Sequence, residues 1–412
     1  MYNLSFADEK MEELPWKNKN FWVSQYNYLP EIQEKFDKPS EIIIHDSTLR
    51  DGEQAPGVSF NKKQKIEIAK RLDEIGVQYI EAGFPAVSKA DQETIKAISE
   101  LDINAKVTCL SRATKEDIDL AIECGVWGAI LEVPAGYPRL KYQFNWSEEE
   151  VIEKTMFALN YAKNTDLHII LFLIDATRAR AKFLKKLLTK AENTGIVDKI
   201  SIVDTLGVAS PDAIRAMVST VKTWVDIPLE LHFHNDFGLA TINTISGLMA
   251  GARSFSCTIN GLGQRAGNAP LEEIVLALNL LYGVETNLDI KKLKELSEYL
   301  KKITNIDLPP YKPVVGDKLF NWAAGIPTAS LRNEPLTVEP YTPEYIGAEH
   351  VIVLGKKAGK ANILYKLEEF DYSYDKKLVE KLLKEVKDLA IEKNDTVTDQ
   401  EFKEIYHSSI KE

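Results

Sequence analysis

Two histidines, His232 and His234, stand two residues apart in the segment LHFHNDFG. If that segment is a strand, both imidazoles leave the same face, because side chains alternate with a period of two. Two imidazoles aimed the same way can both reach one ion, and an anionic oxygen would complete a facial three-ligand set. Asp51 offers that oxygen from HDSTLRDGEQAPG, where Asp46, Arg50, Asp51, Glu53 and Gln54 crowd a short turn. A lone HxH pair is often no more than two solvated side chains. This chain holds only six histidines, and two of them fall within three residues, with a carboxylate-rich turn to face them. The set implies a divalent cation, with zinc, manganese, magnesium and iron all open.

Such a site needs elements that bring distant segments to one place. From about residue 41 to 270, apolar β-rich runs alternate with amphipathic helical stretches, the pattern of βα units. The eight runs are EIIIHD from Glu41, VQYIEAG from Val77, AKVTCL from Ala105, WGAILEV from Trp127, LHIILFLID from Leu167, KISIVDT from Lys199, LELHFH from Leu229 and SFSCTIN from Ser254. Eight parallel strands with helices between them close into a (β/α)₈ TIM barrel, and the span fits the roughly 250 residues such barrels occupy. Polar motifs end five of the runs, and strand C-termini share the barrel mouth where catalytic groups collect. In KKQKIEIAKRLDEIG, Ile68, Leu72 and Ile75 form one stripe and Gly76 sits where a C-terminal cap belongs. An open doubly wound sheet also alternates strands and helices, but no GxGxxG turn is present to support it.

The rest of the composition narrows the class. Hydrophobic residues at 44% and charged residues at 27% are ordinary globular usage. A net charge of −11 without a Lys/Arg cluster argues against a nucleic-acid partner. The apolar runs are too short to span a bilayer. The opening MYNLSFADEKMEEL is acidic where a signal peptide needs basic residues, so a cytoplasmic enzyme is expected. Cys109, Cys124 and Cys257 lack paired spacing and read as reduced, buried thiols. The expected organisation is an N-terminal extension over 1–40, a catalytic barrel over 41–285 and a C-terminal, mostly helical subdomain over 286–412. The extension carries Trp16, Phe21, Trp22, Tyr26 and Tyr28, an aromatic density that implies packing.

DSTLRDGEQAPG, IEAGFP, VDTLG, HFHND and NGLGQRAGNAPLEE, in this order, resemble the family of 2-isopropylmalate, homocitrate and citramalate synthases, related to 3-hydroxy-3-methylglutaryl-CoA lyase. The resemblance runs from about Glu41 through the barrel and, more loosely, to about residue 405. It implies a metal-dependent barrel of amino-acid biosynthesis that condenses an acyl-CoA, acetyl-CoA being the expected donor, with a 2-oxo acid. It makes Asp51, His232 and His234 metal ligands, with Asn268 completing or supporting the set. It places Arg50 against the 2-oxo group, Thr205 at the acceptor carboxylate, and Glu81 and Gln54 on the same mouth. A homodimer formed through the subdomain is also implied.

The chain departs from the family where proton transfer is concerned. ESGIH reads AAGIP here, with Pro327 replacing the histidine; GKHSG reads GKKAG, bringing Lys357 and Ala358; GERAGN reads GQRAGN, bringing Gln264. His350, Tyr341, Tyr345 and Lys357 are the groups that could substitute. After the fourth strand, PAGYPRLKY puts Arg139 where a fixed cation would suit a second acceptor carboxylate. Against that, Ile170 and Phe172 stand where the Arg and Ser of lysine-pathway homocitrate synthases bind that carboxylate. The acceptor therefore stays open among 2-oxoisovalerate, pyruvate, oxaloacetate and 2-oxoglutarate. Two other readings remain: a lyase running in the retro-aldol direction, although GLGQRAGNAP lacks the cysteine such lyases use, and a 2-oxo acid sensor that has lost its base.

Overall fold

A computed structural model of the chain describes residues 14–410. The acidic opening read against a signal peptide lies outside them, apart from its last residue, Leu14. All eight expected strands form: β1 (Ile43–Asp46), β2 (Tyr79–Glu81), β3 (Lys106–Arg112), β4 (Gly128–Pro134), β5 (His168–Ile174), β6 (Lys199–Asp204), β7 (Leu229–Phe233) and β8 (Ser254–Cys257). Each pairs in parallel with its sequence neighbour, and β8 returns to β1 in the register Asp46↔Cys257, closing the barrel.

Sequence sets the helix boundaries by capping. Asn61 and Ser147 each build a capping box at the start of Lys62–Glu74 and Glu148–Ala162, while Ser88, Thr114 and Ser210 cap the helices that follow them. Lys62–Glu74 buries Ile68 and Leu72 as expected, and Gly76 adopts φ +95 just past its end, a left-handed conformation that side chains resist.

Below the mouth, the barrel interior is partly polar. Lys199 and His45 both reach the buried Glu230 carboxylate, at 3.1 and 3.3 Å, and Thr108 Oγ1 lies 2.8 Å from His45 Nε2. Burial would raise the Glu230 pKa, but Lys199 and His45 hold it well below the usual range. Above this layer lies an apolar cluster of Leu110, Ile130, Ile170, Phe172, Ile174 and Val203, against which Phe84 packs.

The chain divides into two compact units, Tyr26–Leu308 around the barrel and a second made of the described residues up to Gln25 together with those from Pro309 onward. The aromatic-rich leader is therefore shared. Phe21 and Trp22 bridge to Tyr341 and Pro340 in the second unit, whereas the Tyr28 hydroxyl donates to Leu280 O in the first. Leu293–Thr304, assigned by sequence to the subdomain, belongs with the barrel, where its Glu295 accepts from Arg71 at 2.7 Å. The second unit contains the helices Gly325–Asn333, Lys360–Glu369, Lys376–Lys393 and Asp399–Ser409. Ile363, Leu367, Leu382, Val386 and Phe402 form the centre of its core.

Candidate active site

The parallel barrel brings the ends of β1, β2, β6, β7 and the loop after β8 to one mouth. Asp51 follows β1 in a turn where the backbone N–H groups of Arg50, Asp51 and Gly52 all donate to Ser47 O. His232 lies on β7 and His234 one residue beyond it, and their Nε2 atoms stand 2.9 and 3.6 Å from Asp51 Oδ2. All three side chains are buried, and their ligand atoms lie within 4.8 Å of one another. Among the described residues this is the one group of its kind.

The electrostatics fit a cation. Burial alone would raise the Asp51 pKa, yet Arg50 and the two imidazoles hold it well below the usual carboxylate range. Burial pushes His234 down to about 4, which keeps its nitrogen lone pair available near neutrality. His232 Nδ1 lies 2.9 Å from Ser256 Oγ, and with a cation on Nε2 the ring proton would sit on Nδ1 and donate to that hydroxyl. Among the described residues, His234 Nδ1 and Asn268 Oδ1 are buried without a partner, and the amide oxygen of Asn268 is an acceptor that a bound ion or ligand would satisfy.

Asn268 reaches the site through the glycine-rich loop. A backbone bridge pins it beside His234, its Nδ2 donates to Leu262 O at 3.0 Å, and its N–H donates to Gly261 O at 3.0 Å. Gly267 makes this tight turn possible: its φ is +84, and a Cβ there would lie 2.0 Å from Gly261 O.

Arg50 is buried beside the triad. Its Nε donates to Glu81 Oε1 at 2.6 Å, and Ser47 Oγ donates to the other Glu81 oxygen. Its Nη1 stands 3.4 Å from Asp51, and Nη2 has no partner among the described residues, leaving a buried donor for a substrate oxygen. Thr205 Oγ1 accepts from Asp175 N at 2.8 Å, which leaves its own hydrogen to donate. Asp204 is structural, accepting from Thr177 Oγ1 and from the backbone N–H groups of Val208 and Ala209.

Two expected groups sit further out. Gln54 is exposed and accepts from Gln264 Nε2 at 2.7 Å. Arg139 opens the π-helical turn Arg139–Phe144 and donates to Gln143 Oε1 at 2.9 Å. In the second unit, His350 Nε2 is held 2.9 Å from the buried Glu339, to which Trp322 Nε1 also donates. Burial pushes the Tyr341 phenol up to about 12.

Sequence reasoning missed two features at the mouth. Phe172 was noted only by alignment, yet its ring meets the His232 ring edge-on at 5.0 Å and the Arg50 guanidinium at 5.8 Å. Glu132 was hidden inside the apolar run of β4. The signal that could have found it is a single acid at an inward-facing position of a strand otherwise made of apolar residues.

Comparison with known proteins agrees with this architecture. The HMGL-like family profile matches residues 41–300, and one described as homocitrate synthase post-HMGL domain-like matches 314–394. A homocitrate synthase of Methanopyrus kandleri is 41% identical over 92% of this chain and 96% of its own length. A 2-isopropylmalate synthase of Methanocaldococcus jannaschii is 39% identical over 90% of this chain and 72% of its own. Among solved structures, an HMG-CoA lyase from Acinetobacter baumannii superposes with a TM-score of 0.60 at 21% identity, over 68% of this chain and 97% of that one. It therefore shares the fold. The chain belongs to the HMGL-like family, among its 2-isopropylmalate, homocitrate and citramalate synthases.

Proposed function

We propose that the chain condenses acetyl-CoA with a 2-oxo acid, and that Asp51, His232 and His234, supported by Asn268, hold a divalent cation. The observation that carries this reading is the buried triad, with one ionised carboxylate and two imidazole nitrogens facing a common point. A cation held there would act as a Lewis acid on a chelating 2-oxo acid, polarising its carbonyl.

The chain's own residues supply the rest. Arg50, fixed by Glu81, offers its unpartnered Nη2 to the oxygen on which negative charge develops as the new carbon–carbon bond forms. Thr205 donates to the acceptor carboxylate and so sets its orientation. Phe172, against His232, excludes water from the reacting face. Hydrolysis of the thioester then frees CoA and draws the condensation forward.

An acceptor tail directed along β5 would meet the apolar cluster of Ile170, Phe172 and Ile174. Arg139 is engaged by Gln143. This favours acceptors with an apolar tail, 2-oxoisovalerate before oxaloacetate or 2-oxoglutarate.

Thiol release from acetyl-CoA with a panel of these four acids, pyruvate included, tests the reading. Release that requires one acceptor and added metal supports it. Cleavage of a CoA ester without an acceptor would mark a lyase instead. Silence with every acceptor, despite retained metal binding, would leave only the sensor.

A further inference from the structure

The carboxylates at the barrel mouth are nearly all committed. Asp51 faces the imidazoles, and Glu81 accepts from Arg50 and Ser47. Asp46 accepts from Thr48, Asp175 from Arg178, Asp204 from Thr177 and Asp236 from Arg265. Glu53 pairs with Lys65 and Asp117 with Arg112. Glu132 differs: it is half-buried, and among the described residues it has no hydrogen bond or ion pair.

Its position follows from the register. Glu132 is the Cα partner of Arg112 on β3 and of Phe172 on β5. Ile130, two residues earlier on the same face of β4, belongs to the interior apolar cluster, so Glu132 also points inward. It thus shares a layer with Phe172, whose ring touches both His232 and Arg50. Glu132 is one of the residues lining a cavity of about 780 Å³, together with Arg112, Lys115, Phe144, Trp146 and Lys154. That volume lies in the range of small-ligand pockets.

Resting on the condensing reading above, we propose that Glu132 is the general base that removes the proton from the carbon beside the thioester. The C–H bond breaks and its electron pair delocalises into the thioester as an enolate, while the proton passes to a Glu132 oxygen. The enolate carbon then bonds to the acceptor carbonyl carbon, whose π pair moves to oxygen as an alkoxide balanced by Arg50. The charged groups facing Glu132 are Arg50 from the β1 turn, Glu81 from β2, Arg112 from β3 and Arg139 from the turn after β4. Burial raises its pKa against the pull of the arginines, which makes the carboxylate a stronger base than a solvated one. A carboxylate on the inner face of β4, with no partner among the described residues, costs the fold free energy and contributes no structural bond that would compensate.

The test uses the full chain loaded with magnesium and follows deuterium entering the acetyl-CoA methyl group from D₂O by mass spectrometry, alongside thiol release. Glu132→Gln should lower both exchange and kcat by about 100-fold or more. Binding of the 2-oxo acid, measured by calorimetry, should stay within about threefold, because the amide keeps the shape and changes only basicity. Glu132→Asp, which retains a carboxyl, should recover at least part of the exchange, and the acidic limb of the wild-type kcat profile should vanish in Glu132→Gln. Exchange unchanged in Glu132→Gln overturns the assignment, as does a loss matched by an equal loss of 2-oxo acid binding, or a wild type that does not exchange at all. Exchange that depends on Glu132 without condensation on any acceptor keeps the base and removes the synthase reading. Condensation indifferent to Glu132 does the reverse.

Discussion

Ser256→Ala is a small change with a calculable effect on the metal site. The serine hydroxyl lies 2.9 Å from His232 Nδ1, from which it would accept a hydrogen bond once Nε2 ligates a cation, in a setting closed to water, 5% exposed for Ser256 and 3% for His232. Removing it leaves a buried N–H unsatisfied, a cost of about 1–3 kcal/mol, and frees the ring to rotate away from Asp51. Loss of such an outer partner lowers metal affinity about 10–100-fold, which is about 1.4–2.7 kcal/mol, so two independent routes give the same magnitude. Ser254→Ala is the control. Ser254 lies two residues earlier on the same strand and is fully buried, but its hydroxyl has no partner among the described residues. Competition of zinc or manganese against a chelating dye measures both variants. Ser256→Ala should bind metal at least about tenfold more weakly, and Ser254→Ala should stay within about twofold. Equal effects in the two variants, or none in Ser256→Ala, would refute the claim that this bond orients the ligand.

Arg50→Lys keeps the charge but loses the fork that engages Glu81 and the substrate oxygen together; kcat should fall about 10²–10³-fold with metal binding retained, and a kcat within threefold would contradict the oxyanion role. Burial raises the Asp46 pKa from 3.8 to about 7. Between those values the folded state keeps a proton that the unfolded chain has released, so this residue's contribution to stability falls as pH rises from about 4 to about 7. Asp46→Asn should therefore gain stability relative to wild type across that window, by up to about 4 kcal/mol, and a flat difference in urea unfolding would contradict it. In the second unit, Leu382→Ala should cost about 2–5 kcal/mol because Leu382 is fully buried in its core, to be read from urea unfolding; a cost under 1 kcal/mol would mean that this core relaxes freely.

The barrel was legible because each strand buries both faces and so reads as a continuous apolar run, with helix caps marking the intervals between. The metal triad was legible because the two-residue spacing of His232 and His234 determines their shared face, and a polar turn after β1 had to meet it. Glu132 was not legible, since an isolated acid in an apolar run has no periodicity of its own; only the register with Arg112 and Phe172 reveals what it faces. The division of the aromatic leader between two units was equally hidden, because contacts such as Phe21 with Tyr341 join segments over 300 residues apart. Arg139 shows the limit of motif spacing: its position after β4 is fixed by sequence, but its engagement with Gln143 depends on a π-helical turn that propensities do not signal.

The central claim is that Asp51, His232 and His234 grip one cation that presents a 2-oxo acid. Titration of manganese into the metal-free chain, followed by electron paramagnetic resonance with and without pyruvate, tests it directly. The account predicts one ion per chain, a spectrum that changes when pyruvate is added, and loss of that ion in Asp51→Asn and in His234→Ala while the barrel stays folded. Full occupancy with the same pyruvate response in both variants would contradict it.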